Sequence, residues 1–178
     1  MKRKIDVFDY ANQIMRGISK GVLLTTKSDD KINSMTISWG ALAIEWGKPH
    51  FIVYVRENRY TKKLLDENPE FSINIAIGDD AKKILAYCGT KSGKNVDKIK
   101  NLNLTLVEGE DISVPAIKEL ALTIECKVVY KQEQDKTAIK EENRLKFYPK
   151  DVDSSYHGAN KDYHSVYYGE IVNAYIIE

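Results

Sequence analysis

Over most of the chain apolar and polar residues alternate with a period of two, the period of strands whose successive side chains face opposite ways. Runs with this parity cover residues 21–26, 33–39, 50–55, 71–77, 102–108, 121–131 and 168–177. Phe71, Ile73, Ile75 and Ile77 share one face in the fourth run, and Leu122, Ile124, Cys126 and Val128 do so in the sixth. The pattern predicts antiparallel sheet with one buried face per strand. Helical spacing is rarer. Phe8, Ala11, Ile14, Met15 and Ile18 predict an opening helix over 8–18, weakened and ended by Gly17 and Gly21. Brief helical signals follow at 61–69, stopped by Pro69, at 79–87, at 95–102 behind a capping Asn95, and at 115–120 behind Pro115. Strands outnumber helices, which predicts a mainly β fold, a barrel with short helical decorations, rather than a βαβ sheet. The polar stretch 132–166 has little periodicity and reads as a lid, a disordered loop or a cover for a partner subunit.

Composition narrows the function classes. A length of 178 residues fits a single domain over 1–178 with one site. Lys plus Arg is 27 against 26 for Asp plus Glu, so the net charge of +1 leaves no electrostatic footprint for nucleic acid or an anionic membrane. The start "MKRKIDVFDYANQ" has no apolar run behind its basic residues, and no later stretch is long enough to cross a bilayer; the expected location is the cytoplasm. Cys88 and Cys126 show no CxxC or Cys/His spacing, which predicts buried free thiols. His50, His157 and His164 lack paired spacing, so no metal is expected. Neither GxGxxG nor GxxxxGK[ST] occurs.

Three stretches carry candidate chemistry. In "NSMTISWG" (33–40), Ser34, Thr36 and Ser38 take one parity and Met35, Ile37 and Trp39 the other. The apolar set would enter the core, leaving the hydroxyls as a wet outer face or as a polar edge for a ligand. After the next strand come Arg56, Arg59 and Thr61, with Thr61 where a helix would start. They are either solvated loop charges or a phosphate site, because free helical amides and forked guanidinium donors both favour an anion. The turn "CGTKSGKNVDK" (88–98) places glycines, hydroxyls and lysines ahead of a helix, as an ordinary turn or as another approach for an anion. His164, beside Asp162 and Tyr163, precedes the last predicted strand; it is either structural or a chemical group at the barrel mouth.

Taken in order, "GVLLTTKSDDKINSMTISWG", "WGKPHFIVYVRENRYTKKLLDENPEFSINI", "AYCGTKSGKNVDK" and "DYHSVYYGEI" resemble the flavin reductase-like family of FMN-binding split-barrel proteins, its flavoredoxin-type branch most of all. The resemblance implies a split, Greek-key-like antiparallel barrel and a homodimer with each FMN near the subunit interface. It implies that the isoalloxazine lies against Asn33, Ser34, Met35, Thr36, Ile37, Ser38 and Trp39. The phosphate would fall to Arg56, Arg59, Tyr60, Thr61 and Lys62, and Ser92, Gly93 and Lys94 would border the cofactor. His164 would lie near the flavin as the catalytic candidate. The implied activity is electron transfer from NADH or NADPH through FMN to free flavin or to an iron-sulfur or other redox protein. The alternative is an FMN-bound electron carrier that does not oxidise NAD(P)H itself. The chain departs from many relatives at Asp29-Asp30-Lys31, where they have glycine, and in its longer "GALAIEWGKP" segment.

Overall fold

The computed structural model describes residues 1–78, 81–150 and 162–178. Its strands are β1 (Lys2–Lys4), β2 (Val22–Ser28), β3 (Lys31–Ile37), β4 (Gly40–Glu45), β5 (Lys48–Arg56), β6 (Glu70–Ile75), β7 (Leu106–Val107), β8 (Ala116–Ile117), β9 (Leu122–Glu133) and β10 (His164–Ile177). Its helices are α1 (Ala11–Lys20), α2 (Tyr60–Glu67), α3 (Lys82–Thr90), α4 (Lys98–Asn101) and α5 (Glu141–Phe147). The main sheet runs β3-β2-β6-β9-β10-β5-β4, with β1 also on β10, and every pairing is antiparallel. This is a mainly antiparallel split barrel with short helices, as the alternation and the resemblance led us to expect. The first two residues of the helix expected over 79–87, and His157, lie outside the described residues.

The expectation of one buried face per strand fails for β2 and β6. Leu24 of β2 packs in the barrel core with Phe51, Phe71 and Ile73, while its neighbour Leu23 packs the other way, with Cys88, Leu104 and Leu120. The cause is the excursion from α3 to β8, which folds over the outer face and buries it. Polar residues there bond to the excursion: Ser72 Oγ donates to Pro115 O at 2.7 Å and Asn74 Nδ2 to Leu120 O at 3.3 Å. Carboxylates also secure it, buried Glu125 accepting from the Glu110 and Asp111 amides and Glu70 from that of Ser113.

Other boundaries also differ from expectation. The strand expected over 102–108 shrinks to β7, because Asn103 turns at φ 51°. The helix expected at 115–120 is instead β8, a two-residue partner of β7. The stretch 132–166 holds α5 and the start of β10, which begins at His164 and pairs with both β5 and β9. Strand β4 forms a hairpin with β5 through Trp46 and Gly47, whose φ values of 48° and 74° give the left-handed pair that a tight hairpin turn requires.

Candidate functional site: a cationic cleft beside strand β3

Two adjoining hollows form one cleft along β3. The first, about 250 Å³, is lined by Asn33, Met35, Thr36, Asn58, Arg59, Tyr60, Thr61, Cys88, Gly89, Lys91, Ser92, Gly93 and Lys98. The second, about 260 Å³, is lined by Met35, Thr36, Ile37, Ser38, Trp39, Tyr54, Arg56, Arg59 and His164. Met35, Thr36 and Arg59 belong to both.

Strand β3 divides its side chains between two layers. The Ser34 hydroxyl is buried against that of Thr25, 2.7 Å away, and Thr36 Oγ1 donates to Leu85 O of α3 at 2.6 Å. These two hydroxyls are therefore engaged within the protein, and Ser38 is the exposed member of the row. On the opposite parity Asn33 Nδ2 donates to Thr61 Oγ1 at 2.7 Å, which ties β3 to the start of α2. Ile37 enters the barrel core. Trp39 does not: it follows the end of β3, keeps 36% of its surface exposed and stands in edge contact with Phe147.

The floor of the first hollow is cationic. Helix α2 begins after Arg59, which has extended backbone angles, and among the described residues no side chain caps it, so the helix entrance faces the hollow beside Tyr60 and Thr61. Opposite lies Lys98, 4% exposed, whose Nζ donates to Ser34 O and Cys88 O, each at 2.9 Å. Burial lowers the pKa of Lys98; nearby Cys88 raises it and Arg59 lowers it further. Burial raises the Cys88 thiol above its ordinary range, against the pull of Lys98. Gly93 is required by close approach: a Cβ there would overlap the Asn33 side-chain oxygen and lie 3.0 Å from the Tyr60 ring.

Aromatic rings and a clasp form the second hollow. Arg56 donates through Nη1 to Asp162 O at 2.7 Å and through Nη2 to Phe147 O at 3.0 Å, with its guanidinium 5.0 Å from the Tyr148 ring centre. Burial lowers its pKa, and Asp162 and Tyr148 oppose the change. His164 pairs with Arg56 in the β5–β10 register and lies 4.9 Å from the Trp39 ring. Burial first, then the charge of Arg56, lowers its pKa to about 4, so the imidazole is neutral at neutral pH.

The cleft thus brings together Asn33, Met35, Thr36, Ile37, Ser38, Trp39, Arg56, Arg59, Tyr60, Thr61, Ser92, Gly93 and His164. Ser34 reaches it through Lys98, which holds its carbonyl. Lys62 is directed elsewhere, 2.7 Å from Asp66, and Lys94 lines a neighbouring hollow that shares Tyr60 and Gly93 with the cleft. Sequence reasoning missed Lys98, Tyr54 and Tyr148. The cap of α4 is Asp97, not the expected Asn95, and nothing in "NVDK" says that the lysine after it turns inward.

Residues 15–178 match the model of the flavin reductase like domain. A protein of Archaeoglobus fulgidus is 34% identical over 100 residues, which cover 56% of this chain and 55% of its own. The chain thus spans a little over half the length of the curated relatives it matches. Among solved structures, the flavoredoxin of Methanosarcina acetivorans is 28% identical with a TM-score of 0.65, over 89% of this chain and 68% of that one. The FMN-binding domain of a flavin reductases-like enzyme from Shewanella baltica has a TM-score of 0.67 at 14% identity, over 99% of this chain and 77% of that one, and speaks to the fold alone.

Proposed function

The chain belongs to the flavin reductase like domain family, and on that premise we propose that it holds FMN along the β3 cleft as a cytoplasmic oxidoreductase. In this reading it passes electrons from NADH or NADPH through FMN to free flavin or to a redox protein. The observation that carries it is the make-up of the first hollow: Arg59, Lys91 and buried Lys98 meet the uncapped start of α2, and no carboxylate is among the described residues lining it. Such a site fits a phosphate dianion. The missing side chain at Gly93 fits the close approach of a bulky polar ligand.

Arg59, Tyr60, Thr61, Ser92 and Lys98 would hold the phosphate, and the β3 backbone with Trp39 and His164 would border the ring. FMN, when bound, would supply an electron-carrying ring able to take hydride from a nicotinamide. The chain supplies placement: Lys98 fixes the Ser34 carbonyl, Arg56 holds Phe147 and Asp162 at the cleft's edge, and neutral His164 adds no positive charge beside the ring. The free, buried state of Cys88 and Cys126 suits a reducing compartment. A homodimer is part of the same proposal. Exposed Trp46 and Tyr130, with Tyr168 packed 5.0 Å from Tyr130, give the β4–β5 turn, β9 and β10 an aromatic outer face suited to a second copy.

The likeness to a protein named a flavoredoxin favours a second reading, an FMN-bound electron carrier without NAD(P)H oxidation of its own. One experiment separates them. FMN-loaded protein is mixed with NADH or NADPH without oxygen, and bleaching of the visible flavin band is followed. Rapid bleaching supports the reductase. A flavin that bleaches with dithionite but not with either nucleotide supports the carrier, and a chain that takes up no FMN contradicts both.

A further inference from the structure

Tyr148 follows the end of α5 and reaches back into the cleft wall, where its hydroxyl lies 3.0 Å from Gln134 Oε1 and 2.9 Å from His164 Nδ1. The donors available decide the direction of each bond. Gln134 Oε1 also accepts the backbone N–H of His164 at 3.2 Å, which identifies that end of the amide as the oxygen, since an NH₂ group there would face another donor. An amide oxygen only accepts. The one hydroxyl hydrogen of Tyr148 therefore goes to Gln134, and the phenolic oxygen accepts from His164. Nδ1 carries the imidazole hydrogen, and Nε2 keeps a lone pair.

We propose that Tyr148 is a positioning residue which, with Gln134, locks His164 in the Nδ1–H form, so that the cleft offers Nε2 as an acceptor to an N–H donor of the molecule seated beside it. The second clause rests on the cofactor reading above. His164 lines the second hollow, and among the described residues only Nδ1 of its ring has a hydrogen-bond partner. The group recognised is a neutral nitrogen bearing hydrogen. A flavin ring has one at N3 in either oxidation state and gains a second at N5 when reduced, and the carboxamide of a nicotinamide has one as well. The neighbouring titratable and charged groups are Tyr54 and Arg56 of β5, Arg59 before α2, Tyr148 after α5 and Asp162 before β10. None of them is an unpaired base that could take the Nδ1 hydrogen from its place against Tyr148.

The lock is tested without cofactor, by ¹⁵N NMR of the His164 ring in the full chain at neutral pH. The expected spectrum shows a protonated Nδ1 and an unprotonated Nε2. Gln134→Met frees the Tyr148 hydrogen to point at Nδ1, so the ring switches to the Nε2–H form while the tyrosine stays in place. Tyr148→Phe removes the acceptor that faces Nδ1 and leaves both neutral forms populated. An imidazolium or an Nε2–H ring in the unaltered chain overturns the lock, as does a tautomer that neither substitution changes. If Tyr148→Phe fails to fold, Gln134→Met alone still decides.

The donor is identified by binding. Affinities of oxidised and reduced FMN, and of NAD(P)H for the FMN-loaded chain, are compared between the unaltered protein and Gln134→Met. A roughly tenfold loss shared by oxidised and reduced FMN assigns the donor to the flavin N3–H, one confined to reduced FMN assigns it to N5–H, and one confined to NAD(P)H assigns it to the carboxamide. Equal affinities throughout overturn the acceptor role of Nε2. Failure of the unaltered chain to bind any FMN overturns the cofactor reading, whereas the tautomer result judges the lock separately.

Discussion

Lys98 Nζ donates to the carbonyl oxygen of Ser34 at 2.9 Å from a position almost wholly removed from solvent. The same ammonium holds Cys88 O, so one charge ties β3 to the end of α3. An ammonium has three hydrogens, and among the described residues two are spent, leaving one for the first hollow. Lys98→Met keeps much of the volume and removes the charge. FMN affinity should fall at least tenfold by fluorescence titration, since a charge-assisted hydrogen bond contributes roughly 1.5–3 kcal/mol. The two abandoned carbonyls should also lower the urea midpoint.

Gly93→Ala places a methyl group against Asn33 Oδ1, which itself belongs to the amide that bonds Thr61. Either the 92–93 turn or the β3–α2 tie must shift. The expected result is a folded protein whose FMN affinity is reduced at least tenfold, seen in the same titration, with a smaller loss of thermal stability. Unchanged affinity would place the phosphate away from this turn.

Arg56 holds both Phe147 and Asp162 by their carbonyl oxygens. Arg56→Met should therefore loosen α5 and Tyr148 from the cleft wall. Limited proteolysis checks it: cleavage within residues 135–150 should speed several-fold, while the barrel resists digestion. If Arg56 served the phosphate alone, FMN affinity would fall and the cleavage rate would not change.

Acid stability should fall in two steps. His164 has a pKa of about 4 in the fold and about 6.5 when unfolded. Between those values the unfolded chain binds a proton that the folded chain refuses, so stability declines as pH falls from about 6.5 to 4, by on the order of 3 kcal/mol at most. Asp66 acts lower. Burial works against its charge, but hydrogen bonds from Lys62, Tyr167 and Lys131 hold its pKa to about 2, so its contribution is complete above about pH 4 and is lost as pH falls through 2. Urea midpoints between pH 7 and 4 should drop in the unaltered chain and drop much less in His164→Gln.

The sequence revealed the barrel because period-two alternation survives wherever one face meets the core, as at Phe71, Ile73 and Ile75. It hid β4, since the hairpin turns on Trp46-Gly47 and a tryptophan at positive φ is not a turn signal. It hid α5 because Glu141–Phe147 buries none of its own residues and is held at the cleft by Arg56 and its aromatic neighbours. Arg59, Thr61 and Gly93 were legible as site residues because strand exits, helix starts and glycine turns leave local marks. Lys98 and Tyr148 enter through contacts far away in sequence, with Ser34 and with His164, which no local pattern records.

The central claim is that the hollow between Arg59, Gly93 and Lys98 seats the phosphate of FMN. Fluorescence titration of cofactor-free protein with FMN tests it most directly. Saturable quenching at one FMN per chain, weakened more than tenfold in Arg59→Ala and again in Lys98→Met while riboflavin binding changes little, is the predicted result. Absence of saturable FMN binding, or equal affinity in all three proteins, would contradict it.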